Sequence, residues 1–194
     1  MATDLCTLSQ FKTYKTIHPD NTDEDALISQ LISSVSNYVK DYCGRTFVDY
    51  YSTPKVEYFD GMNCKRVFTD EFPVISVESV EVSSDGGSTY EEFTDYITDK
   101  SNDSIVSLGS NFITTSIPTN SLKITYTAGY DPNNIPPDLR QACMDLVEYF
   151  RSKEYTPRKD WNDASIENVS FREGGGSKLP PHIARVLSHY RMVY

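Results

Sequence analysis

Two periodicities divide this chain, and any fold must accommodate both: helical spacing near the two ends and strand alternation between them. Over residues 23–42, Ile28, Leu31, Val35, Tyr38 and Tyr42 recur at three- and four-residue steps, and Leu27, Ile32 and Val39 widen the stripe. Thr22-Asp23-Glu24-Asp25 fits a capping-box pattern at its start, and Gly44 supplies a residue able to end it in the left-handed conformation. Ahead of it, Thr7–Tyr14 is expected to form a shorter helix held by Leu8 and Phe11, set apart by the Pro19-Asp20-Asn21 turn.

From about Val48 the pattern becomes that of strands. Val56, Tyr58 and Phe59 precede an Asp60-Gly61 turn, and Val67 and Phe68 follow it. Val74–Val82 is rich in β-branched residues, and Asp85-Gly86-Gly87-Ser88 predicts a hairpin-like turn leading to Tyr90. Tyr96-Ile97-Thr98 and Ser104–Leu108 flank a further turn at 100–103. Leu122, Ile124 and Tyr126 alternate with Lys123, Thr125 and Thr127, as a half-buried strand should.

Helical spacing returns at Pro136-Pro137-Asp138. Leu139, Cys143, Leu146 and Phe150 share one face there, joined by Ala142 and Val147. A proline suits a first turn, and Asp138 and Arg151 suit the two ends of the helix dipole. Glu154–Ser177 is polar and closes on Gly174-Gly175-Gly176-Ser177, the composition of a flexible link. Leu179-Pro180-Pro181 then opens a last helix with Ile183, Val186, Leu187 and Tyr190 on one side. The fold class expected is α+β, with antiparallel strands inserted between helical segments.

Charge narrows the functional classes. The 194 residues carry 18 Lys and Arg against 28 Asp and Glu, a net charge of −10. Such a surface is a poor clamp for nucleic acid or an anionic membrane, because both need a basic footprint. The charge is uneven: Glu57–Ser104 holds twelve acids and three bases. The last 21 residues hold Lys178, Arg185 and Arg191 with no acid, a tail of +3 on a body of −13. No apolar run approaches the roughly 18 residues of a membrane span. The Met1–Leu5 start lacks the pattern of a secretion signal, so Cys6, Cys43, Cys64 and Cys143 are expected to be reduced thiols.

A search for chemistry returns no catalytic residues, no metal ligands and no cofactor motif. His182 and His189 are seven residues apart, about 10 Å along a helix, too far to ligate one metal. The acidic run from Asp20 would place Asp25 and Leu31 where a calcium loop needs Gly and Glu, so helix capping explains it better. Gly174–Lys178 lacks the spacing of a phosphate loop, Trp161 sits in a polar stretch as a loop anchor, and no serine lies in a nucleophile elbow. A small hydrolase has only scattered Ser, His and Asp in its favour.

Four ordered segments together resemble the head–tail connector proteins of tailed bacteriophages. The first is Asp23-Glu24-Asp25-Ala26-Leu27-Ile28 with its continuation to Ile32, and the second is the exit Tyr42-Cys43-Gly44-Arg45-Thr46-Phe47. The third is Tyr126-Thr127-Ala128-Gly129-Tyr130 with Pro136-Pro137-Asp138-Leu139 and Ala142. The fourth is Leu179-Pro180-Pro181 through Tyr190-Arg191. The resemblance implies an adaptor in the virion neck, made in the host bacterial cytoplasm and assembled as a dodecamer. It would bridge the portal protein to a stopper or tail protein and line a channel through which DNA passes without sequence-specific binding. The chain itself is expected to divide into a small helical bundle core of residues 1–47 and 130–173, a β-rich module over 48–129 that departs from the family's compact all-helical members, and a link with a C-terminal docking helix over 174–194. Portal docking would fall on Leu179, Ile183, Leu187, Tyr190 and Arg191, and deleting residues 178–194 would leave a folded protein unable to bind portal. The rival reading is a β-rich tail or baseplate module that contacts a sugar or a neighbouring subunit through exposed Tyr90, Phe93 and Tyr96.

Overall fold

In a computed structural model, which describes residues 3–60, 64–109, 111–112, 119–152 and 179–192, helices and antiparallel sheets segregate into two units. One unit joins Met1–Gly44 to Ile135–Tyr194, and the other is Arg45–Asn134. Trp161, Lys178 and the Gly174–Ser177 link lie outside the described residues, as does Gly61 of the expected turn.

The first unit contains α1 (Leu8–Tyr14), α2 (Asp25–Cys43), α3 (Pro137–Arg151) and α4 (Pro181–Ser188). Helix α1 starts at Thr7 through a capping box: the Gln10 N–H donates to Thr7 Oγ1 at 3.2 Å, and Gln10 Oε1 accepts from the Thr7 N–H at 3.0 Å. The capping box expected at α2 is absent. Its N-cap is Glu24, which makes no side-chain cap bond. The acids there hold a cation instead. Lys12 is buried, and its ammonium donates to the carbonyls of Pro19 and Asn21 at 3.1 and 2.8 Å and to Asp25 Oδ2 at 2.8 Å. The acidic run weighed against a calcium loop thus has a cation from within the chain at Asp25.

The buried face of α2 runs through Ile28, Ile32, Val35, Ser36, Val39 and Cys43. Leu27 and Tyr38, expected in the apolar stripe, are exposed instead. The stripe is rotated because α2 turns Ile28, Ile32 and Val39 towards its neighbours, and Leu27 and Tyr38 sit on the flank beyond them. Helix α2 ends as expected, with Gly44 at φ +71° and its N–H donating to the Lys40 and Asp41 carbonyls. Helix α3 contributes Leu139, Ala142, Cys143, Leu146 and Val147 to the same interior, and proline stands in its first turn.

The second unit contains two antiparallel sheets. One has the order β1 (Lys55–Phe59), β7 (Leu122–Ala128), β3 (Val74–Val82), β4 (Glu91–Glu92), and the other β2 (Arg66–Phe68), β6 (Ser104–Ser107), β5 (Tyr96–Asp99). The two expected hairpin turns are present, pairing Val82 with Glu91 and Asp99 with Ser104. Val67 and Ile105 of the smaller sheet share one core with Val74, Val80, Leu122, Ile124 and Tyr126 of the larger. Tyr126 carries a polar tip into this core: its hydroxyl donates to Glu57 Oε1 at 2.7 Å and accepts the Glu71 N–H at 3.1 Å. Burial raises the Glu57 carboxyl above its usual range, although the bonds from Lys55 and Tyr126 oppose that shift.

Two of the four segments that carry the family resemblance meet at the entrance to this unit. The Phe47 carbonyl accepts the Tyr130 N–H at 2.7 Å, and the Gly129 N–H donates to Pro73 O at 2.9 Å. Gly129 has φ +101°, and a Cβ there would drive into the Phe47 carbonyl oxygen. Arg45 is buried with its guanidinium 3.4 Å from the ring centre of Phe72, 4.7 Å from Phe47 and 5.8 Å from Tyr130, and it donates to the Phe72 carbonyl. Entry and exit of the unit are therefore clasped together.

Gly129→Ala should cost about 2 kcal/mol or more, since it combines a disfavoured φ with a backbone collision, and thermal unfolding reads this directly. Lys12→Met should cost about 1–3 kcal/mol by stranding two carbonyls and the Asp25 carboxylate. Retention of most of that loss in high salt, where a merely surface pair would be screened, distinguishes the caged cation.

Candidate docking surface

The last helix is where sequence reasoning placed the docking residues, and the structure divides them. Pro181 opens α4 at its first position, and residues four apart then fall on one face. Leu179, Ile183 and Leu187 are buried at 4, 2 and 0 % exposure, and α4 packs against α3 and α2. Each such burial contributes about 1.5–3 kcal/mol. These three side chains are thus internal to the helical unit. Tyr190 is half-buried and donates to Asp138 Oδ1 at 2.6 Å, in the first turn of α3. Arg191 is exposed, 5.7 Å from the centre of the Tyr42 ring, and the Met192 N–H donates to the Cys43 carbonyl at 2.9 Å. Because α4 fills the interior, deleting residues 178–194 would uncover the core of the helical unit. That truncation is not the clean loss of a docking arm expected from the sequence.

The outward side of α4 consists of Pro181, His182, Arg185, Ser188 and His189, and Arg191 lies just beyond. It is basic, and residues 174–194 contain no acid to neutralise it. The apolar stripe marks its own residues directly and this outward face only by implication. The signal was present: if 179, 183 and 187 are interior, then 182, 185 and 189 must face away.

The β unit has the opposite character. Residues 45–134 hold fourteen acids and six bases. Several bases are committed locally: Lys123 to Glu81 at 3.0 Å, Arg66 to Asp99 at 2.7 Å, and Lys55 to Glu57. The hydrogen bond from Arg66, with one from Asn102, holds the Asp99 carboxyl down at about 2. Glu78, Glu91, Glu92 and Asp95 remain exposed.

The aromatics that the rival reading expected on the surface are engaged. Phe93 packs on Phe112 with ring centres 5.3 Å apart, and Tyr96 lies against the core. The Tyr90 hydroxyl donates to Asn120 O at 2.8 Å, and its ring takes the Lys123 ammonium at 5.4 Å.

A cleft in the helical unit is lined by Ile17, Asn21, Asp23, Glu24, Asp25, Ile28 and Arg151. Asp25 is already met by Lys12, and Glu24 by Arg151, whose Nε donates to it at 2.7 Å. Among the described residues there is no group of three or more His, Cys, Asp or Glu able to hold a metal ion, and no helix long and apolar enough to cross a membrane. His18, His182 and His189 are all exposed.

Comparison with known proteins gives a consistent result. The chain is similar in fold to one titled "Neck of empty GTA particle computed with C6 symmetry" (TM-score 0.61, 15% identity, 98% of this chain and 91% of that chain covered). It is also similar to a chain in "Virion of native gene transfer agent (GTA) particle" (TM-score 0.58, 18% identity, 98% and 91% covered). A third, "Neck of native GTA particle computed with C12 symmetry", gives TM-score 0.54 and 19% identity over 91% and 92% of the two chains. At these identities the likeness is one of fold. No curated protein sequence matches the chain. A family model described as "Head completion protein" matches residues 4–193. Head completion proteins are structural components of virus particles rather than enzymes, and with all but its extreme ends matched, this chain belongs to the head completion protein family.

Proposed function

We propose that the protein is the head–tail connector, or adaptor, of a tailed-phage-like particle, a ring in the neck that joins the portal protein to a stopper or tail protein. The observation that carries this reading is the family match over almost the whole chain, joined to a fold shared with chains from gene-transfer-agent necks. The C12 symmetry in one of those titles supports a dodecamer. The helical unit serves as a small bundle core, and the β unit is an insertion into it.

Docking to the portal proceeds through the C-terminal helix. Leu179, Ile183 and Leu187 fix the helix in place, while Arg191 and the rim of Tyr190 meet the portal beside the exposed Arg185 and His182. A basic face of this kind selects an acidic partner and sets its register. DNA passes the ring without being held. An acidic wall carrying Glu78, Glu91, Glu92 and Asp95 repels phosphate and leaves no base contacts to make.

Mixing the purified protein with portal rings tests the reading. Arg185→Glu combined with Arg191→Glu alters only exposed side chains, so thermal stability should change little, while portal affinity falls at least about tenfold and the salt dependence of binding weakens. Undiminished binding by this folded double variant would remove the basic face from the interface.

A further inference from the structure

The helical unit contains a buried pair of thiols in contact with each other. Cys6 and Cys143 are both buried, with Sγ atoms 3.8 Å apart and hydrogen-bonded to each other. Cys143 Sγ is also 4.0 Å from Ser36 Oγ, which accepts the Leu5 N–H at 3.0 Å. The N-terminal segment is thereby seated: Leu5 is fully buried beside Cys6, and Ser36 of α2 and Cys143 of α3 lie beneath them. The other two thiols are placed differently. Cys43 donates to the Leu187 carbonyl at 3.7 Å, and Cys64 belongs to the β unit and is half-buried.

We infer that Cys6 and Cys143 are a disulfide-forming site that staples the N-terminal segment to α3 once the chain meets an oxidant. Closing the bond requires the sulfurs to approach from 3.8 Å to roughly 2.05 Å. Cys143 is fixed in the middle of a helix, but Cys6 lies in irregular backbone immediately before the Thr7 cap and can supply the movement. The pair is polarised in a useful direction. The hydrogen bond from Cys143 draws the Cys6 thiol below its ordinary range, and the same bond, with burial, pushes the Cys143 thiol up. Cys6 is therefore the attacking sulfur and Cys143 the resolving one.

The oxidant is a small hydroperoxide. Cys6 gives up its proton as its sulfur attacks one peroxide oxygen, the O–O bond breaks, and the departing hydroxide takes up that proton to leave as water. Cys6 is then a sulfenic acid. The Cys143 sulfur displaces that oxygen from Cys6 Sγ, forming S–S and breaking S–O, and the Cys143 proton leaves with the oxygen as a second water. Two thiols lose two electrons in all, and one peroxide is reduced to two waters. In a glutathione-buffered cytosol the pair is held as thiols, so its state records the compartment the chain has last met.

The test uses the full chain carrying Cys64→Ser, which prevents cross-linking between molecules. After brief exposure to a small excess of hydrogen peroxide, the intact mass should fall by about 2 Da, and a non-reducing digest should contain one peptide joined through Cys6 and Cys143. The oxidised protein should unfold at least about 5 °C higher than the reduced form and return to the lower value with a thiol reductant. Cys143→Ala should give neither change. Persistence of both thiols in the folded protein, or oxidation of either cysteine to a sulfinic acid without the cross-link, overturns the inference. A cross-link that leaves the unfolding temperature unmoved overturns the stapling role.

Discussion

Closure of the inserted unit at a single point is the constraint on which the rest of the structure depends. Gly129 passes so close to Phe47 that no side chain fits between them, Tyr130 bonds to the Phe47 carbonyl, and Arg45 locks the crossing from within three aromatic rings. A chain that enters and leaves the β unit at one place leaves its two ends free to build a second unit together. Arg45 is well suited to this position because guanidinium stacks on rings while keeping its in-plane donors, a geometry lysine cannot reproduce. The Gly44-Arg45-Thr46-Phe47 and Ala128-Gly129-Tyr130 segments thus have a physical explanation as the two halves of one clasp.

The helical unit makes a corresponding use of the chain's last turns. Its interior is completed by α4, which contributes Leu179, Ile183 and Leu187, and its far end is tied by Tyr190 to Asp138 and by Met192 to Cys43. A segment whose apolar face is spent internally can meet a partner only through its other face. Here that face is basic while the β unit, with fourteen acids and six bases, carries most of the net negative charge, so the −10 of the whole chain conceals two surfaces of opposite sign. The charge that excludes a nucleic-acid clamp is compatible with a tail that seeks an acidic neighbour.

Much of the fold was legible because its signals are local. Gly44 at a helix end, Pro136-Pro137-Asp138 at a helix start, and the alternation of Leu122, Ile124 and Tyr126 each act within a few residues, and each stands where the sequence put it. What failed was set by distant partners. The acids before α2 looked like a capping box because nothing local shows that Lys12, thirteen residues before Asp25, reaches into them. The rotation of the α2 stripe away from Leu27 and Tyr38 depends on where α3 and α4 lie. Pairing of β1 with β7 across more than sixty residues is likewise a tertiary outcome that periodicity cannot express. The docking residues show the same limit: an apolar stripe announces burial, and only the packing shows that the chain buries it against itself.

The account stands on α4 being an integral part of the helical unit rather than a loose arm. Native-state hydrogen exchange of the free full-length protein measures this most directly, at the amides of Arg185, Val186, Leu187 and Ser188. They should be protected alongside the buried stretch of α3 around Cys143 and Leu146, and be lost with it in one cooperative opening. Exchange of those four amides at the rate of an unstructured tail, with α3 still protected, would contradict the account.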